Sequence, residues 1–250
     1  MSGTAVLLSG GLDSAVLLAD EATRGEVQPI YVSVGLAWES AEREMVSQFL
    51  AGARFHGRVR PLVALSVDMR DVYADSHWAV EGRPPAYHTP DEEVYLPGRN
   101  IVLLGKAGVY CAAARLDRVV LGTLAHNPFP DATPEFRAAM ARALTLGLSH
   151  DLQIEAPYAG SSKAEVVKRG VELGLPLELT LSCMSPVVAR HSSLVARAAT
   201  ASEQRETRNE QPDLPLHCGL CSKCRERHDA FLELGLADPT VYEDERHVRA

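Results

Sequence analysis

Residues 4–24 read TAVLLSGGLDSAVLLADEATR. A short apolar run stops at Ser9-Gly10-Gly11 and returns from Leu12 with helical spacing, Leu12, Ala15, Val16, Leu18 and Ala19 falling on one stripe. A buried strand that enters a helix through two glycines is the first half of a strand–helix–strand unit. The same alternation recurs down the chain. Further strands are predicted at 29–35, 61–67, 118–123 and 151–157, with helices at 12–24, 39–55, 99–116, 133–148 and 162–174. Strands alternating with helices specify a doubly wound, mainly parallel five-stranded sheet of Rossmann-like type, covered by helices on both faces. The stretch 68–98, with prolines at 84, 85, 90 and 97, reads as a long loop or small excursion.

In such sheets ligands sit beyond the carboxyl ends of the strands. Residues 9–14 follow the first strand there, and Gly98-Arg99-Asn100 and residues 123–131 fall on the same rim. Small residues at a strand-to-helix turn leave backbone N–H groups pointing into one concavity, to which the helix dipole adds positive potential. Ser9 and Ser14 add hydroxyl donors, giving an oxyanion cradle made mainly of backbone. Neither G-x-x-x-x-G-K-[ST] nor G-x-G-x-x-G fits the segment. The plainer alternative is a tight turn with Asp13 as a first-turn carboxylate.

Composition narrows the partners. The 250 residues suffice for one large α/β domain with an appendage. Against 33 acidic residues stand 25 basic ones, a net charge of −8, which argues against a general grip on nucleic acid. No apolar stretch reaches the roughly 18 residues that span a bilayer. The start MSGTAVLLSGG lacks the basic segment of a signal peptide, so a cytoplasmic protein with reduced thiols is expected.

Cys111 sits in an apolar helical stretch and reads as a core residue. Cys218, Cys221 and Cys224 form C-x-x-C-x-x-C, a spacing that lets thiolates converge on one tetrahedral ion. Cys183 is the candidate fourth ligand, with His217 as a substitute. An iron–sulfur cluster, a redox-active thiol set and four unrelated thiols are the competing readings. Residues 1–181 are expected to form the α/β domain. Residues 182–250 are expected to form a metal-binding helical region with a helix at 222–234 and an exposed insertion at about 190–215.

Ser9-Gly10-Gly11-Leu12-Asp13-Ser14 resembles the PP-loop of the N-type ATP pyrophosphatases, whose fold is of the adenine nucleotide alpha hydrolase type. With the C-terminal cysteines, the chain resembles the 7-cyano-7-deazaguanine synthase family from about residue 4 to 235. Leu96-Pro97-Gly98-Arg99-Asn100 looks like the family's V-P-G-R-N segment, Pro130-Asp131 with Phe136 like its P-D-x-x-x-x-F element, and Lys163-Ala164-Glu165 like its K-A-E segment. Leu181-Ser182-Cys183 and the stretch from His217 through Cys224 to Arg227 resemble its zinc knuckle.

The resemblance implies a C–N ligase of queuosine and 7-deazapurine biosynthesis that converts 7-carboxy-7-deazaguanine and ammonia to the nitrile through an acyl adenylate and an amide. It implies ATP, Mg²⁺ and Zn²⁺, a homodimer, and no stable nucleic-acid or membrane partner. It would place ATP on Leu8, Ser9, Gly10, Gly11, Leu12, Asp13, Ser14, Gly98, Arg99 and Asn100, with Asp13 near Mg²⁺ and Lys163 neutralising pyrophosphate. Cys183, Cys218, Cys221 and Cys224 would hold zinc. Asp131 suits a guanine-like edge, because a carboxylate accepts from a ring N–H and an amine together. An N-cap of the 133–148 helix is its other reading. Phe129 falls beside it in the substrate region.

Three features depart from the family. Gly35-Leu36-Ala37-Trp38-Glu39-Ser40 stands where members usually carry Gln-Arg-His, and Trp38 and Glu39 are candidate replacements, Trp38 stacking on a flat base or serving as ordinary packing. His126-Asn127-Pro128-Phe129 replaces an acidic stretch with Ser or Gly. Residues 184–217 separate Cys183 from Cys218, where about ten residues are usual in the family. Adenylation of a different carboxylate, sulfur transfer to tRNA and non-catalytic nucleotide sensing remain the alternatives.

Overall fold

The computed structural model describes residues 3–55, 57–187 and 214–248. The expected insertion at about 190–215 lies almost entirely outside them. The elements in chain order are β1 (Thr4–Leu7), α1 (Leu12–Arg24), β2 (Val27–Ser33), α2 (Glu39–Gly52), β3 (Val63–Ser66), α3 (Trp78–Glu81), α4 (Arg99–Ala114), β4 (Arg118–Val120), α5 (Pro134–Leu148), β5 (Gln153–Glu155), α6 (Lys163–Glu172) and α7 (Ser222–Glu233). The sheet order is β3-β2-β1-β4-β5 and every pair is parallel. All predicted strands and helices are present. The 68–98 excursion contains α3 and a 3₁₀ turn at Asp91–Val94.

Strand alternation sorts the core into two faces. Val6 and Tyr31 join a cluster with α1, Phe49, Val166, Val167 and Phe231. Ala5, Ile30 and Val32 point the other way, into a cluster with Leu104, Ala107, Cys111 and Leu152. Cys111 is fully buried there, as a core residue should be. β2 begins at Val27, ahead of Pro29, although the proline reads as its start. The strand pairs with β3 only from Ile30 onward, so no ladder bond on that side needs the missing Pro29 N–H.

Helix ends follow local chemistry. Thr133 caps α5, accepting from the Phe136 N–H at 3.1 Å, with Pro134 in the first turn. Ser162 and Glu165 form a reciprocal capping box at α6, at 3.2 and 2.8 Å. α1 carries two buried acids, each matched by arginine. Asp20 pairs with Arg169 at 2.6 Å, and Glu21 with Arg24 at 2.6 Å and with Arg118.

α7 is locked to the body of the protein by Arg227, which is fully buried. Its guanidinium donates to the Thr180 hydroxyl at 2.7 Å, to the Leu177 carbonyl at 2.8 Å and to the Thr240 hydroxyl. Asp238 lies 3.8 Å away and the Phe231 ring 5.5 Å below. Arg227→Met is expected to cost about 3 kcal/mol by stranding these acceptors, read as a lower urea midpoint.

Candidate active site

The chain runs from β1 outward to β2 and β3, then returns to lay β4 on the other side of β1. The strand order reverses between β1 and β4, and a cavity of about 250 Å³ opens at their carboxyl ends. Leu8, Ser9, Gly11, Asp13 and Ser14 line one wall, Arg99, Asn100, Phe129 and Asp131 another.

The loop between β1 and α1 is cross-braced. The Ser14 hydroxyl donates to the Gly11 carbonyl at 2.9 Å and accepts from the Ser9 N–H at 3.2 Å. Gly10 has φ +82, and a Cβ on it would stand 2.9 Å from Val46 Cγ2 and 3.1 Å from the Glu42 carbonyl, so glycine is required on two counts. Gly11 caps α1 without a side-chain acceptor, leaving first-turn amides for an anion.

Asp13 Oδ2 accepts from Lys163 Nζ at 2.6 Å, and Lys163 also lies 3.1 Å from Glu226 of α7. Glu226 in turn pairs with Lys223 at 2.6 Å. Burial pushes the Asp13 carboxyl up, opposed by Lys163. Burial acts likewise on Glu226, but its two lysines hold it down at about 2. Asp13 Oδ1 and Arg99 Nε are both buried without a hydrogen-bond partner. An orphaned carboxylate oxygen in the first turn of α1, a helix start with no side-chain cap, fits a cation held against phosphates.

At the opposite wall, Gly98 opens α4 with φ +76. The Asn100 N–H donates to Asp131 Oδ2 at 3.0 Å, and its amide donates to Asp131 Oδ1 at 3.2 Å and to the Asp131 carbonyl at 3.1 Å. Asp131 therefore caps α4 from a distance, while Thr133 caps α5. Phe129 stacks on Tyr95, ring centroids 5.1 Å apart.

Below this site the sulfurs of Cys183, Cys218, Cys221 and Cys224 lie within 4.8 Å of one another, all buried. Cys218 and Cys224 stand 3.9 Å apart and Cys221 and Cys224 3.5 Å. A tetrahedral ion with sulfur at about 2.3 Å holds its ligands about 3.8 Å apart, so the four fit a single ion. Thiolates each bound to a separate iron of a cluster stand further apart. Gly219 has φ +74, and a Cβ there would meet the Asp244 carbonyl at 1.8 Å. His217 is not one of the ligands. Its Nε2 accepts from the Ser182 N–H at 3.1 Å, and burial pushes its pKa well below the usual value.

A protein-family model described as "Queuosine biosynthesis protein QueC" matches residues 4–235. The chain belongs to the QueC family. A relative from Methanopyrus kandleri named 7-cyano-7-deazaguanine synthase is 32% identical, over 97% of this chain and 99% of that protein. One of the same name from Thermoplasma volcanium is 32% identical, over 95% and 89%. Among solved structures, a 4-thiouridine synthetase–RNA complex with bound ATP is similar over 73% of this chain and 45% of that one, with 18% identity and a TM-score of 0.46. Membership makes the chain an enzyme, a ligase that forms C–N bonds.

Of the residues singled out in this QueC sequence for ATP, Leu8, Ser9, Gly11, Asp13, Ser14, Arg99 and Asn100 reach the cavity wall. Gly10, Leu12 and Gly98 shape the turns or the core behind it. Trp38 and Glu39 do not line the cavity, and for Trp38 this is the packing alternative. Trp38 is stacked on Trp78 at 5.8 Å and donates its indole N–H to Glu42 at 3.1 Å. Glu39 accepts from the Val34 and Gly35 N–H groups at 2.7 and 3.1 Å and from the Ser33 hydroxyl, closing the turn after β2. Glu42, Tyr31 and Tyr95 line the cavity and sequence reasoning missed them. The available signal was Glu42 itself, a carboxylate among Ala41, Met45, Val46 and Phe49 on the buried stripe of α2.

Proposed function

We propose that the protein uses ATP to activate 7-carboxy-7-deazaguanine and, with ammonia, converts it to 7-cyano-7-deazaguanine. The carboxylate attacks the α-phosphorus of ATP, giving an acyl adenylate and releasing pyrophosphate. Ammonia displaces AMP to form the amide. A second activation, at the amide oxygen, removes that oxygen with AMP and leaves the nitrile. The observation that carries the reading is the family match over residues 4–235, joined to a cavity walled on one side by the 9–14 loop.

In this reading Ser9, Gly11 and Ser14 hold phosphate oxygens, and Lys163 neutralises departing pyrophosphate. Asp13 holds Mg²⁺ through its unpartnered Oδ1. Arg99 and Asn100 face the nucleotide, and Phe129 with Tyr95 offers a flat face to the ring. The protein contributes positioning and charge neutralisation. The four cysteines hold Zn²⁺ as a closed structural centre outside the chemistry. Residues 1–181 carry the reaction and 182–250 the metal-held segment. The enzyme works in the cytoplasm on free small molecules, as a homodimer.

A second reading keeps adenylation and changes the acid. The altered 35–40 segment, with Trp38 and Glu39 committed to packing, favours it. Purified protein with ATP, ammonium and the deazaguanine acid is expected to release AMP and yield the nitrile mass. AMP release with another acid and none with this one would select the second reading.

A further inference from the structure

Among the described residues, three carboxylates reach the cavity wall: Asp13, Asp131 and Glu42. Asp13 gives Oδ2 to Lys163 and, in the reading above, Oδ1 to a cation. Asp131 accepts from Asn100 at both oxygens and is thereby spent on capping α4. Glu42 is different. It is 7% exposed, and no arginine or lysine among the described residues lies within ion-pair distance of it.

Two ring donors fix its orientation. The Tyr31 hydroxyl donates to Oε2 at 2.9 Å and the Trp38 indole N–H to Oε1 at 3.1 Å. Each oxygen keeps a lone pair for a second donor. Tyr31 reaches it from β2, Trp38 and Glu39 flank it on α2, and Arg99 of α4 is the nearby cation. Burial pushes the Glu42 carboxyl up to about 7, partly offset by Arg99 and Tyr31. A buried carboxylate held in place with spare acceptor capacity and no contacting cation is a receptor for a neutral ligand bearing two adjacent N–H donors.

We propose that Glu42 is the specificity residue of this site, accepting hydrogen bonds from the ring N–H and adjacent exocyclic amine of a guanine-type base. The inference rests on the deazaguanine reading above and moves the reading of the base edge from Asp131 to Glu42. Trp38 then has a purpose its position conceals: it does not stack on the ligand but positions the group that recognises it. Adenine has no ring N–H next to its amine, so the same carboxylate disfavours a second adenine nucleotide in that place.

Calorimetry on the full chain tests this with 7-carboxy-7-deazaguanine and its analogue lacking the exocyclic amine. Wild type is expected to prefer the amine-bearing acid by at least about tenfold, because the analogue forgoes one of the two hydrogen bonds to a buried carboxylate. Glu42→Gln is expected to reduce that preference to within about threefold while ATP affinity holds, and Asp131→Asn to keep it. The proposal is overturned if Glu42→Gln keeps the preference, if it weakens ATP equally, or if Asp131→Asn abolishes the preference. Should Glu42→Gln fail to fold, Glu42→Asp, which withdraws the carboxylate by one methylene, takes its place with the same expected loss of preference.

If neither acid binds wild type, the deazaguanine-acid reading fails. The bare rings, 7-deazaguanine and 7-deazahypoxanthine, then test Glu42 alone. A preference for the amine-bearing ring in wild type that Glu42→Gln loses upholds the inference, and equal or absent binding, or a preference that the variant keeps, overturns it.

Discussion

Stripping the ion from the four-cysteine centre, or replacing Cys221 by serine, is expected to lower stability by about 5 kcal/mol. For a chain of this size that is a fall of roughly 10–20 °C in melting temperature. The cysteines are buried in a cluster with Val34, Leu36, Trp38, Met45, Leu181 and Tyr242, so the centre is part of the core and not a surface clip. Without an ion, four buried thiols in contact lose the interaction that draws them together.

Nucleotide affinity is expected to fall along with stability, for a specific reason. The Leu181 N–H donates to the Gly10 carbonyl at 2.8 Å, two residues before Cys183. Glu226, two residues after Cys224, holds Lys163 against Asp13. The four-cysteine cluster therefore adjoins both braces of the 9–14 loop, and an ion held by it would anchor them. Thermal melts and nucleotide titration of chelated protein, then of protein with zinc restored, check this. If Cys221→Ser melts with wild type and binds ATP alike, the centre carries no ion of consequence.

Asp13→Asn is expected to reduce turnover by about 100-fold or more while leaving ATP binding unchanged or tighter. Asp13, Glu226, Lys163 and Lys223 form a chain of two negative and two positive groups. Asparagine removes one negative charge beside the incoming phosphates, so binding does not suffer. Lys163 stays anchored by Glu226 at 3.1 Å, so the substitution does not release it. What is lost is the anionic Oδ1 left unpartnered in the wall. Separate measurement of kcat and of the KM for ATP checks the split. Turnover near wild type would remove Asp13 from any role in holding a cation.

The sheet, its helices and the glycine loop after β1 were legible because their signals are local. A buried strand declares itself within a handful of residues, and the requirement for glycine at position 10 lies in one turn. The C-x-x-C-x-x-C spacing is equally local, and Cys183 was reachable as the remaining cysteine outside the apolar helix. The substrate wall was not legible in the same way. Trp38 and Glu39 sit where the family's usual Gln-Arg-His element would be, and proximity in sequence suggested that they replace it. One turn of helix separates Glu39 from Glu42, yet the first closes a backbone turn and the second faces the cavity.

The sequence by itself determined the parallel sheet, the glycine turn after the first strand and the grouping of four cysteines, because each depends on residues a few positions apart or on one rare residue type. Tertiary structure alone decided which carboxylates are free. Among the described residues, Asp131 is tied to Asn100 at the start of α4, Asp13 gives one oxygen to a lysine 150 residues away and keeps Oδ1 unpartnered, and Glu42 is oriented by two ring donors with no contacting cation. A carboxylate's role depends on what surrounds it in space, and packing brings those neighbours from distant elements.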